Sequence, residues 1–326
     1  MGGATPSLRR MSPHPFHRWL PVLIALGALA TLPACSIKKY ATKSVANSLT
    51  SGPDVYGTDN DPQLVREAIP FGLKTLESLL ATLPKHEGLL LSACRGYTQY
   101  AVGFVAADAA ELPPERFEEQ EAIRERALRL CLRARDFGLR GLALKHPDIT
   151  RRLQFDPSVA KEIGIKELPM LFWTAAAWGS AISYGKDHPD LMADVSVVRA
   201  LFARGLELNE TYEGGMFHEA MIPLEALPAA MGGSIERARQ HFTRAKDLSK
   251  GRASVFVSLA ENVSIQTQNR SEFQQMLDQA LAVDADRDST TRLMTLVTQR
   301  KARGLLKRAD DLFLDAPDST QTQESK

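Results

Sequence analysis

The side chains best suited to chemistry in this chain are aromatic and amide groups set on apolar stretches. In "GYTQYA", Tyr97 and Tyr100 lie three residues apart and share a helical face, with Gln99 on another. Trp173 and Trp178 differ by five positions and so point roughly 140° apart on a helix, which sends one into a core and leaves the other to line a cavity. Tyr, Trp, Gln and His on inward surfaces suit a small organic ligand, apolar in body and oriented at one polar end. The alternative is plain core aromatics whose polar tips are satisfied by neighbours. His218 beside Glu219 has the types of an acid–base pair, but adjacent helical residues point apart, and such a pair is more often structural. Arg300 and Arg303 in "TQRKARGLL" offer planar forks that match a carboxylate; a solvated helix face is the commoner use of such arginines.

Cys35 differs from the other two cysteines, Cys94 and Cys131, in what precedes it. Arg9, Arg10 and Arg18 form a positive region without an acid, and "WLPVLIALGALATL" is an apolar run too short for a spanning helix. Leu32-Pro33-Ala34-Cys35 then resembles a bacterial lipobox, which would make Cys35 the lipid-bearing first residue of the mature chain and residues 1–34 its signal peptide. Ser36 after it resembles lipoproteins forwarded to the outer membrane. Cys94 and Cys131 could form one disulfide in an oxidising compartment, but both sit in apolar helical stretches, where buried free thiols are the commoner state.

No catalytic constellation joins these residues. The chain has no phosphate-cradling glycine loop, no His-Glu-x-x-His and no nucleophile elbow, and its cysteines lack metal-ligand spacing. No enzyme, cofactor or metal is therefore expected. The segment before Cys35 holds three of the 40 basic residues and none of the 39 acidic ones, so the remainder is slightly acidic, which excludes an electrostatic case for nucleic acid.

The elements that must position these side chains are helices. "DPQLVREAIPFGLKTLESLLATLP" opens on Asp-Pro and places Leu73, Leu76, Leu80 and Leu83 on one face. Residues 115–145 form a long Arg, Glu, Leu and Ala-rich run, Ser234 caps "GGSIERARQHFTRAKDLSKG", and "STTRLMTLVTQRKARGLLKRADDLFL" is the last helix. "LPMLFWTAAAWGSAISYG" carries no charge and is at the short edge of a membrane span, but Thr174, Ser180, Ser183, Tyr184 and its alanines favour a buried central helix, with Ala175, Ala176 and Gly179 allowing close approach. The His-Pro-Asp of "KHPD" and "KDHPD" reads as proline ending one helix and aspartate capping the next. About ten or eleven helices result, an all-α class.

Four spacings narrow this to a degenerate tetratricopeptide-like helical-repeat array: Ala238, Phe242, Ala245; Phe273, Leu277, Ala280; Val198, Phe202, Gly205; and Gly72, Leu76, Leu79 before Pro84. The expected organisation is a signal peptide over 1–34, the lipidated cysteine and a flexible tether over 35–58, a helical domain over 59–314 and a disordered tail over 315–326.

"DPQLVREAIPFGLKTLESLL", "GYTQYA", "RARDFGLRGL", "LFWTAAAWGSAIS", "GGSIERARQHFTRA" and "QRKARGLLKRADDLFL" resemble the TRAP transporter TatT component family, in order over about residues 60–314. The resemblance implies a periplasmic lipoprotein that partners the substrate-binding protein of a tripartite ATP-independent periplasmic transporter. It also implies a homotrimer and a channel or cleft through each helical body. The ligand class that fits is a small, apolar organic acid. A lipid-anchored scaffold for outer-membrane or envelope assembly is the other reading of a helical-repeat lipoprotein.

Overall fold

In the computed structural model the described residues are Gly2 and 34–314, with 34–38 described by their backbone alone. Apart from Gly2, the expected signal segment up to residue 33 and the tail 315–326 lie outside them, as does the side chain of Cys35. The described chain is helical and contains no strand, which agrees with the all-α expectation; ten of its α-helices run for ten residues or more.

The first helix, α1 (Ala34–Ser51), occupies the stretch expected as a tether. It rests on the body through Ala46, which is fully buried, through Asn47 Oδ1, 3.0 Å from His86 Nε2, and through Thr50, which lies against Gly88. One buried alanine leaves no apolar stripe for a periodicity argument to find. Next come α2 (Pro62–Thr82) and α3 (Glu87–Tyr100). Asp61 caps α2 by accepting from the Gln63 and Leu64 amides, both at 3.0 Å, with Pro62 preset at its first turn. The face that α2 buries is Val65, Ile69, Leu73 and Leu80, so Gly72, Leu76 and Leu79 of the expected repeat spacing sit half-buried beside it.

A π-helical turn, Ala101–Val105, joins α3 to α4 (Ala106–Glu111). The long α5 (Phe117–Leu142) comes after it, then α6 (Ile149–Phe155) and the uncharged α7 (Leu168–Tyr184). α7 packs on α5, α3 and α9 (Val195–Asn209), so it is apolar all round because it has neighbours all round. No helix among the described residues is long and apolar enough to cross a membrane. The closest approach comes from α5 rather than from the small residues of α7. A Cβ at Gly138 would lie 2.2 Å from Thr174 Oγ1 and 3.0 Å from Cys94 Sγ, whereas one at Gly179 would meet Val198 at an ordinary 3.4 Å. Cys94 and Cys131 are free and buried, and burial pushes the Cys131 thiol up to about 12.

The first His-Pro-Asp leads into α6 and the second into α8 (Pro189–Ala193). Neither aspartate caps: Asp148 makes no capping hydrogen bond, and Asp190 lies inside its helix after His188. The second half comprises α10 (Met216–Glu225), α11 (Ile235–Ser249), α12 (Ala253–Leu259), α13 (Arg270–Leu281), α14 (Arg292–Lys307) and α15 (Ala309–Leu312). Ser234 caps α11 through the Arg237 amide at 3.3 Å. Ala238, Ala245, Phe273, Leu277, Ala280, Val198 and Phe202 are all buried, so three of the four repeat spacings face a core, with Phe242 half-buried among them. Each fully buried Leu or Phe contributes about 1.5–3 kcal/mol of transfer free energy.

The last long helix returns to the first ones. α14 packs on α12 and α13 along one side and on α2, α4 and the π-turn along the other. Arg300 pairs with Glu111 at 2.7 Å and Asp108 at 3.5 Å, and Arg308 donates to the Ala110 carbonyl at 2.9 Å. A second π-turn, Ala260–Ser264, also meets α14, through Glu261 and Lys301 at 2.6 Å. A π-turn inserts one extra residue and so rotates the next stretch of helix to a new face. Both turns flank the closing helix.

Candidate functional site

α3 distributes its polar side chains to two sides. Tyr97 is buried against Phe137 of α5, rings stacked at 5.9 Å; its hydroxyl donates to Glu77 at 2.7 Å, and Arg133 covers the ring at 5.6 Å. Tyr100 packs on Phe104 under Arg126. Both tyrosines of the expected ligand site are thus core aromatics with satisfied tips. Arg95 and Gln99, one helical turn apart, share a different and half-buried face.

The two tryptophans divide as their spacing requires. Trp178 is fully buried, donates from Nε1 to Asp194 Oδ2 at 3.1 Å and lies under Arg135 at 5.3 Å. It is core. Trp173 is half-buried and is the outer ring of an aromatic cluster: it stands edge-on to Phe172 at 5.2 Å, which in turn meets Phe202, Tyr212 and Phe217. The Arg95 guanidinium sits 5.7 Å from the Trp173 ring centre and pairs with Asp54. Burial pushes the Tyr212 hydroxyl up to about 12, with the Glu213 charge adding to it and the Arg95 charge opposing.

His218 and Glu219 do not act on one another. His218 Nδ1 lies 2.8 Å from His241 Nδ1, its Nε2 lies 3.5 Å from Glu210, and Glu219 pairs with Arg252 at 3.2 Å. Arg300 is committed to Glu111 and Asp108, and Arg303 is exposed, so neither stands as a carboxylate clamp beside the aromatic cluster. Two shallow depressions, of about 560 Å³ along Ser271, Gln274 and Asp278 and about 350 Å³ along Arg129, Arg133, Phe137 and Arg140, lie on the outer faces of α13 and α5. Neither contains Trp173, Trp178 or His218. No group of three or more His, Cys, Asp or Glu side chains that would hold a metal occurs among the described residues.

The residue that sequence reasoning missed is Arg95. It is the single charge between positions 88 and 107, and that isolation was a readable signal. Asp54 and Tyr212 gave none, because they come to Arg95 from distant parts of the chain.

The histidine pair makes a pH prediction. Burial lowers both His218 and His241 below the ordinary 6.5; the Glu210 contact opposes the shift at His218, and the His218 charge adds to it at His241. The unfolded chain therefore takes up these protons first as pH falls through 6.5, and stability drops from there to the lower folded values. Tm is expected to fall between pH 7.5 and 5.5, with a shallower fall in His241→Gln. Identical slopes in both proteins would refute it.

Known proteins match the same extent of chain. The profile of the TRAP transporter T-component family matches residues 58–313. A protein of Treponema pallidum (strain Nichols), described only as uncharacterized, is 28% identical over 304 residues, covering 86% of this chain and 94% of its own length.

Proposed function

Because this chain belongs to the TRAP transporter T-component family, we propose that it is a periplasmic lipoprotein that partners the solute-binding protein of a TRAP transporter in the uptake of a small, apolar organic acid. The observation that carries this reading is the family match across the helical body, from residue 58 to residue 313. Three features support its details. Cys35 closes the lipobox-like Leu32-Pro33-Ala34-Cys35 and is the residue to carry lipid, and Ser36 after it favours a place at the outer membrane. The antiparallel helical hairpins read as degenerate tetratricopeptide-like units, whose packed surfaces suit holding another protein. Trp173 and its neighbours form an aromatic surface that suits an apolar ligand. Assembly as a homotrimer belongs to the same reading.

The test is crosslinking in cells that express this protein together with a TRAP solute-binding protein of the same organism. Wild type is expected to take up labelled palmitate and to crosslink to the solute-binding protein. Cys35→Ala is expected to lose the label and accumulate as uncleaved precursor. Repeated absence of the crosslink, with both proteins present, would favour a scaffold in envelope assembly. Equal palmitate labelling of Cys35→Ala would remove the anchor from the reading.

A further inference from the structure

We infer that Arg95 anchors a carboxylate-binding site on the Trp173 face, and that Asp54 is the internal carboxylate that occupies it when no ligand is bound. The inference deepens the organic-acid reading above and rests on it.

Arg95 is the lone charge in an otherwise uncharged stretch from 88 to 107. Its guanidinium is held between two things, the face of Trp173 at 5.7 Å and the carboxylate of Asp54. That pair of groups is what an organic acid needs: a planar fork for its carboxylate, where Asp54 now sits, and an aromatic surface for its apolar body. The surface continues inward through Phe172 to Tyr212, so a ligand seated on Trp173 meets a built apolar floor rather than an isolated ring.

Asp54 is suited to give way. Its side chain and that of Arg95 are 40% and 43% exposed, and ion pairs this exposed are worth only about 0–1 kcal/mol. A ligand carboxylate that replaces Asp54 on Arg95 therefore surrenders little, and covering Trp173 is net gain. Asp54 is also part of a strap. Its Oδ1 accepts from the Gly57 amide at 2.9 Å; the Gly57 carbonyl accepts from the Leu293 amide at 3.1 Å, and the Thr58 carbonyl from Arg292 at 3.0 Å. The same short loop thus touches Arg95 on α3 and the start of α14, so exchange at Arg95 is coupled to the seam where the last helix closes on the first ones. Asp54 puts a negative charge on Arg95, and the Glu213 charge is felt at Tyr212. Both disfavour a dianion, and the class that fits is a monocarboxylate with an aryl or short alkyl body.

The experiment titrates full-length protein in detergent with phenylacetate, octanoate and the uncharged 2-phenylethanol, following tryptophan emission and heat. Asp54→Asn keeps the turn to Gly57 but removes the competing charge, and is expected to bind the two acids up to about fivefold tighter than wild type, a change of about 1 kcal/mol that matches the worth of so exposed a pair. Arg95→Gln is expected to weaken both acids by about tenfold or more and to leave 2-phenylethanol unchanged. Acid binding that is indifferent to both substitutions overturns this site while the organic-acid reading stands. No acid binding to any variant, Asp54→Asn included, overturns the site and the ligand reading together. A crosslink to the solute-binding protein that survives in that case shows that the partnership does not depend on either.

Discussion

Glu225→Ala is expected to lower stability by about 3 kcal/mol, the low end of the range for removing one partner of a buried ion pair. The Glu225 carboxylate is 2% exposed at the end of α10 and is clasped by Arg199 of α9 and Arg237 of α11. Each arginine has a second duty: Arg199 donates to the Leu224 carbonyl at 3.1 Å, and Arg237 to the Gly232 carbonyl at 2.6 Å. One carboxylate therefore joins three successive helices and the turn between two of them. Half of the Arg237 side chain reaches solvent and can be rehydrated when its partner goes, which keeps the cost at the low end. Urea unfolding measures it. A loss under about 1 kcal/mol would mean that the cluster behaves as a surface pair.

Gly205→Ala is expected to destabilise by about 2 kcal/mol, within the range for overpacking a filled core. A Cβ at Gly205 would lie 2.0 Å from Phe217 Cε1, and Phe217 is fully buried between Phe172, Phe202 and Tyr212. The ring has no free direction. Helix propensity argues the other way, because alanine is favoured over glycine by about 1 kcal/mol within a helix. The sign is therefore informative: a more stable Gly205→Ala would show that the aromatic cluster yields, and with it the floor under Trp173. A lower Tm with a weakened response of Trp173 to organic acids would tie the cluster to the ligand surface.

The helical class was legible wherever one face of a helix is buried. The caps at Asp61 and Ser234, the uncharged α7 and the spacing of Phe273, Leu277 and Ala280 all reach the structure through local rules. α1 was not legible, since Ala46 is its one fully buried side chain and its hydrogen bond to the body is an Asn–His pair remote in sequence. Gly72, Leu76 and Leu79 fit the repeat spacing, yet Leu73 and Leu80 beside them face the core, because α2 carries leucines at both sets of positions and so satisfies either register. In the candidate site the residue types were readable and their directions were not. Tyr97 turns to Glu77 and Phe137, while Arg95, two positions earlier, turns to Trp173 and to a loop 41 residues away. Arg300 looked free because its partner Glu111 is 189 residues distant. Long-range ion pairs leave no local trace in sequence.

The return of α14 to α2 and α4 sets a rule for how this protein can change in length. An open stack of helical hairpins gains or loses a unit at little cost, because its ends have nothing to meet. Here the amide of Leu293 reaches the Gly57 carbonyl at 3.1 Å, and Arg300 reaches Glu111, only when the intervening helices sum to the right arc. Adding or deleting one hairpin would part those contacts, so viable insertions are confined to the turns, and the number of helices is fixed in the way that the number of staves fixes a cask.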